Sequence, residues 1–149
     1  MNIRPAGIGD IPQLCDLLAD LFSGESDFEP NAIKQARGLE LLINETAGKS
    51  IILVAESKNG NILGMCSVQT VLSTAEGGLA GILEDVIVRR EFRATGIGTS
   101  LLTRALDWCK AKGMSRIQLL ADKKNATGLR FYLNRRWNET DLICLRMYL

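Results

Sequence analysis

The sequence predicts a mixed α/β domain in which a central sheet, partly antiparallel and partly parallel, is flanked by helices. Three observations carry this. Apolar, β-branched-rich runs at 51–56 and 62–71 are separated by Ser57-Lys58-Asn59-Gly60-Asn61, and Asn-Gly is a strong hairpin signal. A strand, a helix and a strand follow one another across 82–121, the order of a parallel crossover. Apolar residues recur at helical period in two stretches, Ile11, Leu14, Leu17, Leu18, Leu21 and Ile97, Leu101, Leu102, Ala105, Leu106, Cys109.

The elements follow in order. Residues 3–4 form a brief strand ended by Pro5. Asp10 is the expected N-cap of the first helix, with Pro12 in its first turn. Gly24 and Pro30 break that helix, and a second spans about 31–44. The hairpin at 51–71 continues through Gly77-Gly78 into a third strand at 79–88, where Val86, Ile87 and Val88 favour extended backbone. The amphipathic helix from Ile97 ends near Gly113, a short buried strand occupies 117–121, and another helix covers 125–134. Residues 142–149 are expected to close the sheet, finishing a hairpin with Trp137. The expectation is six to seven strands and about four helices.

At 149 residues, 46% apolar and 23% charged, the chain has the size and make-up of one domain over residues 1–149. A net charge of +1 sets up no global field, so neither nucleic acid nor a membrane is an expected partner. The opening residues lack the apolar core of a secretion signal and no run approaches a membrane span, so a cytoplasmic location is expected. Histidine is absent, and Cys15, Cys66, Cys109 and Cys144 lie too far apart for a short-spaced zinc or redox motif. No metal is expected, the thiols read as core residues, and acid–base work falls to carboxylate, tyrosine, cysteine, lysine or a water chain.

The chemistry concentrates at Arg93-Ala94-Thr95-Gly96-Ile97-Gly98-Thr99, between a strand and a helix. Glycines 96 and 98 remove side chains where the backbone turns, so several N–H groups are free to point at one anion. The helix start adds about half a positive charge and Arg93 a whole one, which suits a pyrophosphate. A Walker loop needs a lysine after its last glycine, and the dinucleotide fingerprint needs a third small residue; neither is here. The remaining pattern, Arg-x-x-Gly-x-Gly, resembles the acyl-CoA signature of the GNAT superfamily of N-acetyltransferases. Glu84-Asp85-Val86-Ile87-Val88 is similar to that family's acidic fourth strand, and Asn125, Gly128, Phe131 and Tyr132 to its Asn-x-x-Ala-x-x-Phe/Leu-Tyr helix. The likeness covers 82–137; the N-terminal half is similar only in its order of elements. Two departures stand out. Ala94 occupies a common glycine position, tolerable at negative φ, and Arg135-Arg136-Trp137 replaces the usual Gly-Phe.

The resemblance implies a GNAT-like fold whose fourth and fifth strands run parallel and splay apart. It implies acetyl transfer from acetyl-CoA to a primary amine of a small molecule or peptide, by direct attack in a ternary complex without a metal. Backbone groups along Val86, Ile87 and Val88 would pair with pantetheine, the residues from Arg93 to Thr99 would hold pyrophosphate, and Asn125 would touch CoA. Glu84 is the expected base and Tyr132 the expected acid. Asp85 stays open as the alternative base, because neighbours on a strand face opposite sides. Glu25, Asp27 and Glu29, around Phe28, would border the acceptor site. A homodimer stays open, as does a non-catalytic acyl-CoA-binding or regulatory module.

Overall fold

Five strands, β1 (Asn2–Pro5), β2 (Ser50–Glu56), β3 (Ile62–Ser73), β4 (Gly78–Val88) and β5 (Arg116–Leu119), form one sheet in that order. The structure is a computed structural model that describes residues 1–25 and 27–149. Strands β1 to β4 make an antiparallel meander. β4 and β5 run parallel, joined through α3 (Ile97–Ala111). The other helices are α1 (Ile11–Ser23), α2 (Ala32–Ile43) and α4 (Ala126–Leu133). The expected six to seven strands are thus corrected to five among the described residues, and residues 142–149 enter no strand. A two-residue period makes a segment suitable for pairing, but a strand exists only where a neighbour takes its N–H and C=O groups.

By its contacts the chain divides into two units, Met1–Gln118 and Leu119–Leu149. In the first, one face of the sheet is covered by Leu14, Leu17 and Leu18 of α1 and Leu39 of α2, packed with Ile52, Val54, Ile62, Met65 and Ile87. Burying each such side chain is worth about 1.5–3 kcal/mol. The expected stripe of α3 is buried as Ile97, Leu101, Leu102, Ala105 and Cys109. Gly64 of β3 lets α3 approach: a Cβ there would lie 3.3 Å from Leu101 Cδ1 and 2.7 Å from the Ile87 carbonyl.

Asp10 stands at the N-cap position of α1 as expected, but makes no side-chain cap bond there. Its carboxylate instead accepts from the Gly7 N–H at 2.8 Å and from Arg4 at 2.7 Å, and Arg4 also reaches Glu56 at 2.9 Å. The guanidinium holds both carboxyls below their usual range. Of the four thiols read as core, Cys66 and Cys109 are buried, whereas Cys15 is half-buried and Cys144 exposed.

In the second unit Asn125 caps α4 as expected, its side chain accepting from the Gly128 N–H at 2.9 Å. Arg136 takes φ +67°, in the left-handed region of a turn. Around this turn Arg135 lies 4.0 Å over the Phe131 ring and Trp137 meets Tyr132 edge-on at 5.7 Å. No helix among the described residues is long and apolar enough to cross a membrane.

Candidate active site

Along the β3–β4 ladder Met65 pairs with Ile87 and Ser67 with Glu84, so Cys66 alone faces both Asp85 and Val86. This is a β-bulge, and its extra residue, Asp85, sits at φ +53°. The pairing register therefore shifts at the acidic pair. Glu84 is exposed and accepts from Gln69 Nε2 at 2.9 Å. Asp85 is turned inward, with the buried Ser67 hydroxyl donating to its Oδ2 at 3.3 Å.

Burial pushes the Asp85 carboxyl up to about 6, helped by the negative charge of Glu84 and opposed by the Ser67 hydrogen bond. Glu25, in the loop between α1 and α2, adds to the rise through its charge. That places one of the loop carboxylates within electrostatic reach of the bulge. Cys66 below it is pushed up to about 12, by burial first and then by Asp85, so it remains a thiol at neutral pH.

β4 runs on into the glycine cradle. Gly96 is the residue before α3 and adopts φ +91°, a conformation that glycine reaches freely. Helix geometry leaves the amides of the first turn, from Ile97 and Gly98 onward, without intrahelical acceptors and pointing out of the helix end. Arg93 is exposed and donates from Nε to the Val88 carbonyl at 2.9 Å, which ties its guanidinium across the mouth of this turn. Thr95 Oγ1 donates to the Phe92 carbonyl at 2.6 Å. A cavity of about 320 Å³ opens along the start of α3, lined by Ile3, Thr99, Ser100, Thr103, Arg104 and Asp107.

Ala94 departs from expectation, since it adopts φ +61° rather than a negative value. An L-residue in this region costs about 1–2 kcal/mol, and glycine there gives back part of the gain through its freer unfolded state. Ala94→Gly is therefore expected to stabilise the protein by about 0.5–1 kcal/mol. Urea unfolding with an unchanged slope and a higher midpoint would show it; an unchanged or lower midpoint would place the strain elsewhere.

The structure thus gathers Glu84, Asp85, Val86, Ile87, Val88 and the residues from Arg93 to Thr99 on one continuous stretch, from strand through bulge and turn to helix start. Asn125 and Tyr132 belong to the second unit. There Tyr132 packs edge-on between Phe131, at 5.2 Å, and Trp137. One polar residue escaped the sequence reading. Gln35 of α2 is buried, and neither its Oε1 nor its Nε2 has a partner among the described residues. The available signal was its place one turn before Leu39 on the inward stripe.

The model of the acetyltransferase (GNAT) family matches residues 11–136. A transcriptional regulator from Bacillus halodurans is 26% identical, covers 99% of both chains and superposes with a TM-score of 0.84. Glucosamine-6-phosphate N-acetyltransferase from Arabidopsis thaliana is 23% identical, with 99% and 97% of the two chains covered and a TM-score of 0.78. A predicted acetyltransferase from Clostridium acetobutylicum, solved with acetyl-CoA, is 21% identical, with 97% and 95% covered and a TM-score of 0.79. No curated protein sequence matches the chain. With the family model matching residues 11–136, most of its length, this chain belongs to the acetyltransferase (GNAT) family.

Proposed function

We propose that the chain acts as one acetyltransferase domain over residues 1–149, moving an acetyl group in the cytoplasm from acetyl-CoA to the primary amine of a small molecule or peptide. The observation that carries this reading is the juxtaposition on β4. A carboxyl with a pKa of about 6 sits in a bulge on the strand that leads directly into an anion-binding helix start. The family match supports a single functional domain, since it spans residues of both units.

In this mechanism the first amides of α3, with Arg93, hold the pyrophosphate, and the backbone of Val86 to Val88 pairs with the pantetheine arm. Ladder groups released by the bulge are suited to polarise the acetyl carbonyl. An alkylamine is almost wholly ammonium at neutral pH, so a proton must leave before nitrogen attacks. Asp85 takes that proton. Its inward position and raised pKa favour it over the exposed Glu84, whose charge helps keep the Asp85 carboxyl basic. The nitrogen then bonds to the carbonyl carbon and the carbon–sulfur bond breaks; the departing CoA thiolate receives a proton from the Tyr132 hydroxyl, assigned through the likeness of its helix to the family's, and the second proton of the attacking nitrogen returns to the Tyr132 oxygen, leaving a neutral amide. Asn125 is assigned to CoA through the likeness of its helix to the family's.

The test is release of CoA thiol from acetyl-CoA across a panel of polyamines, amino sugars, amino acids and peptides. Turnover with an amine supports the proposal. Tight acetyl-CoA binding with no thiol release across the panel would favour the non-catalytic binding module. Tyr132→Phe keeps the ring packing and removes the hydroxyl, so turnover is expected to fall by about 10²-fold with acetyl-CoA affinity unchanged. The lower end of the acid-catalysis range applies because thiolate is a good leaving group. Full turnover, with chemistry limiting, would take Tyr132 out of the mechanism.

A further inference from the structure

Where β4 ends, a second cavity of about 480 Å³ opens between the β2–β3 turn, the first turn of α1 and the short link that leads to the cradle. Leu63 and Phe92 give its wall an apolar surface, and Arg89, Glu91, Asn59 and Asn61 give it polar groups. None of the residues from Glu84 to Val88 or from Arg93 to Thr99 lines it, so it is distinct from the acetyl-transfer site described above. Its volume falls within the range of small-molecule sites.

Arg89 is half-buried and held from behind. Its backbone N–H donates to the Leu63 carbonyl at 2.8 Å and its Nε to the Ile62 carbonyl at 2.7 Å. Both bonds go to β3, and neither uses the terminal nitrogens, which have no acceptor among the described residues. That free Nη1/Nη2 edge is a planar fork matched to a carboxylate. Glu91 lines the same cavity, is exposed, and its carboxylate has no hydrogen bond or ion pair among the described residues. The rim is braced as well. Gln13 Oε1 accepts from the Ile62 N–H at 2.8 Å, and Ser57 Oγ accepts from the N–H groups of Asn61 at 3.1 Å and Asn59 at 3.3 Å. These bonds engage the backbone of the turn and leave the Asn59 and Asn61 side-chain amides uncommitted among the described residues.

We propose that this cavity binds a small zwitterion of the amino-acid class, its carboxylate on the free edge of Arg89 and its ammonium on Glu91. The class follows from two opposite charges that line one cavity without pairing with each other. An anion alone would be repelled by Glu91 and a cation alone by Arg89, whereas a zwitterion satisfies both. The Asn59 and Asn61 amides, each both donor and acceptor, add polar contacts, while Leu63 and Phe92 take the ligand's side-chain carbons.

The experiment is titration calorimetry on the full chain without acetyl-CoA, each standard amino acid serving as a probe, so its outcome does not depend on whether the chain transfers acetyl groups. At least one amino acid is expected to bind saturably at a single site per chain. Its N-acetyl derivative, which lacks the ammonium, and its carboxamide, which lacks the carboxylate, should each bind more weakly by about tenfold or more, the effect of losing a charge-assisted hydrogen bond. Arg89→Lys keeps the charge but loses the fork, and Glu91→Gln removes the anion; each should weaken binding of the free amino acid by a similar factor. The Glu91 side chain bonds nothing among the described residues, so that variant carries the test where the Arg89 change disturbs β3. Absence of saturable binding by any amino acid would overturn the proposal. So would undiminished affinity in Glu91→Gln, which would put the ligand elsewhere, or equal binding of either blocked derivative.

Discussion

Asp85→Asn is expected to lower turnover by about 10²- to 10⁴-fold at neutral pH while leaving acetyl-CoA affinity near that of the wild type. Asparagine is a clean replacement because it tolerates the φ of +53° that the bulge requires, so the carboxylate is lost without the turn. The wild-type rate should rise as pH climbs through about 6, where Asp85 loses its proton, and the variant should lack that limb. Stability should move in the opposite direction. A carboxyl raised from its ordinary value of 3.8 to about 6 on folding contributes stability that is fully present below about pH 3.8 and is lost as pH rises through about 6. Asp85→Asn should therefore gain thermal stability over the wild type between those values and keep the gain above them. Glu84→Gln separates the two acids. Removing the neighbouring charge should shift the wild-type limb to lower pH and leave the plateau within severalfold. A collapsed plateau in Glu84→Gln, with full turnover in Asp85→Asn, would return the base role to Glu84.

The second large effect is expected at the cradle. Gly96→Val places a β-branched residue at φ +91°, where such side chains are outliers. A Cβ at this position meets nothing within 4 Å, so the defect is conformational rather than a clash, and the fold should survive. The backbone would relax toward negative φ and swing the first amides of α3 away from the ligand. Saturation at one hundred times the dissociation constant stabilises a protein by about 2.7 kcal/mol, and losing it corresponds to binding weakened by about 100-fold or more. A thermal scan with and without acetyl-CoA reads this directly. The wild type should shift upward, whereas Gly96→Val should melt at one temperature in both. An unchanged ligand shift in the variant would remove the cradle from the binding site.

Much of the molecule was legible in one dimension because its signals are local. The stripe of α3 from Ile97 to Cys109 states the helix and its buried face together, and the Asn-Gly pair marks the β2–β3 turn. Asn125 announces α4 through a cap that needs only residues three positions apart. Other features are set by partners distant in sequence. Asp10 looked like a helix cap, yet Arg4 and the Gly7 amide claim its carboxylate. Residues 142–149 have the period of a strand, but a strand exists only where a ladder forms, and they enter none among the described residues.

The acidic pair draws the line most sharply. The sequence by itself determined that two adjacent carboxylates precede a glycine-rich helix start, and that one of them was the candidate base in a chain without histidine. Alternation along a strand says that neighbours face opposite sides, but not which of the two faces inward. Only the tertiary structure decided that the ladder slips at Cys66, that Asp85 takes the left-handed bulge position, and that burial beside Ser67 raises its pKa while Glu84 stays in solvent. The physical reason is that burial and backbone register are properties of what packs against a residue, and for Asp85 that neighbour is β3, far away along the chain.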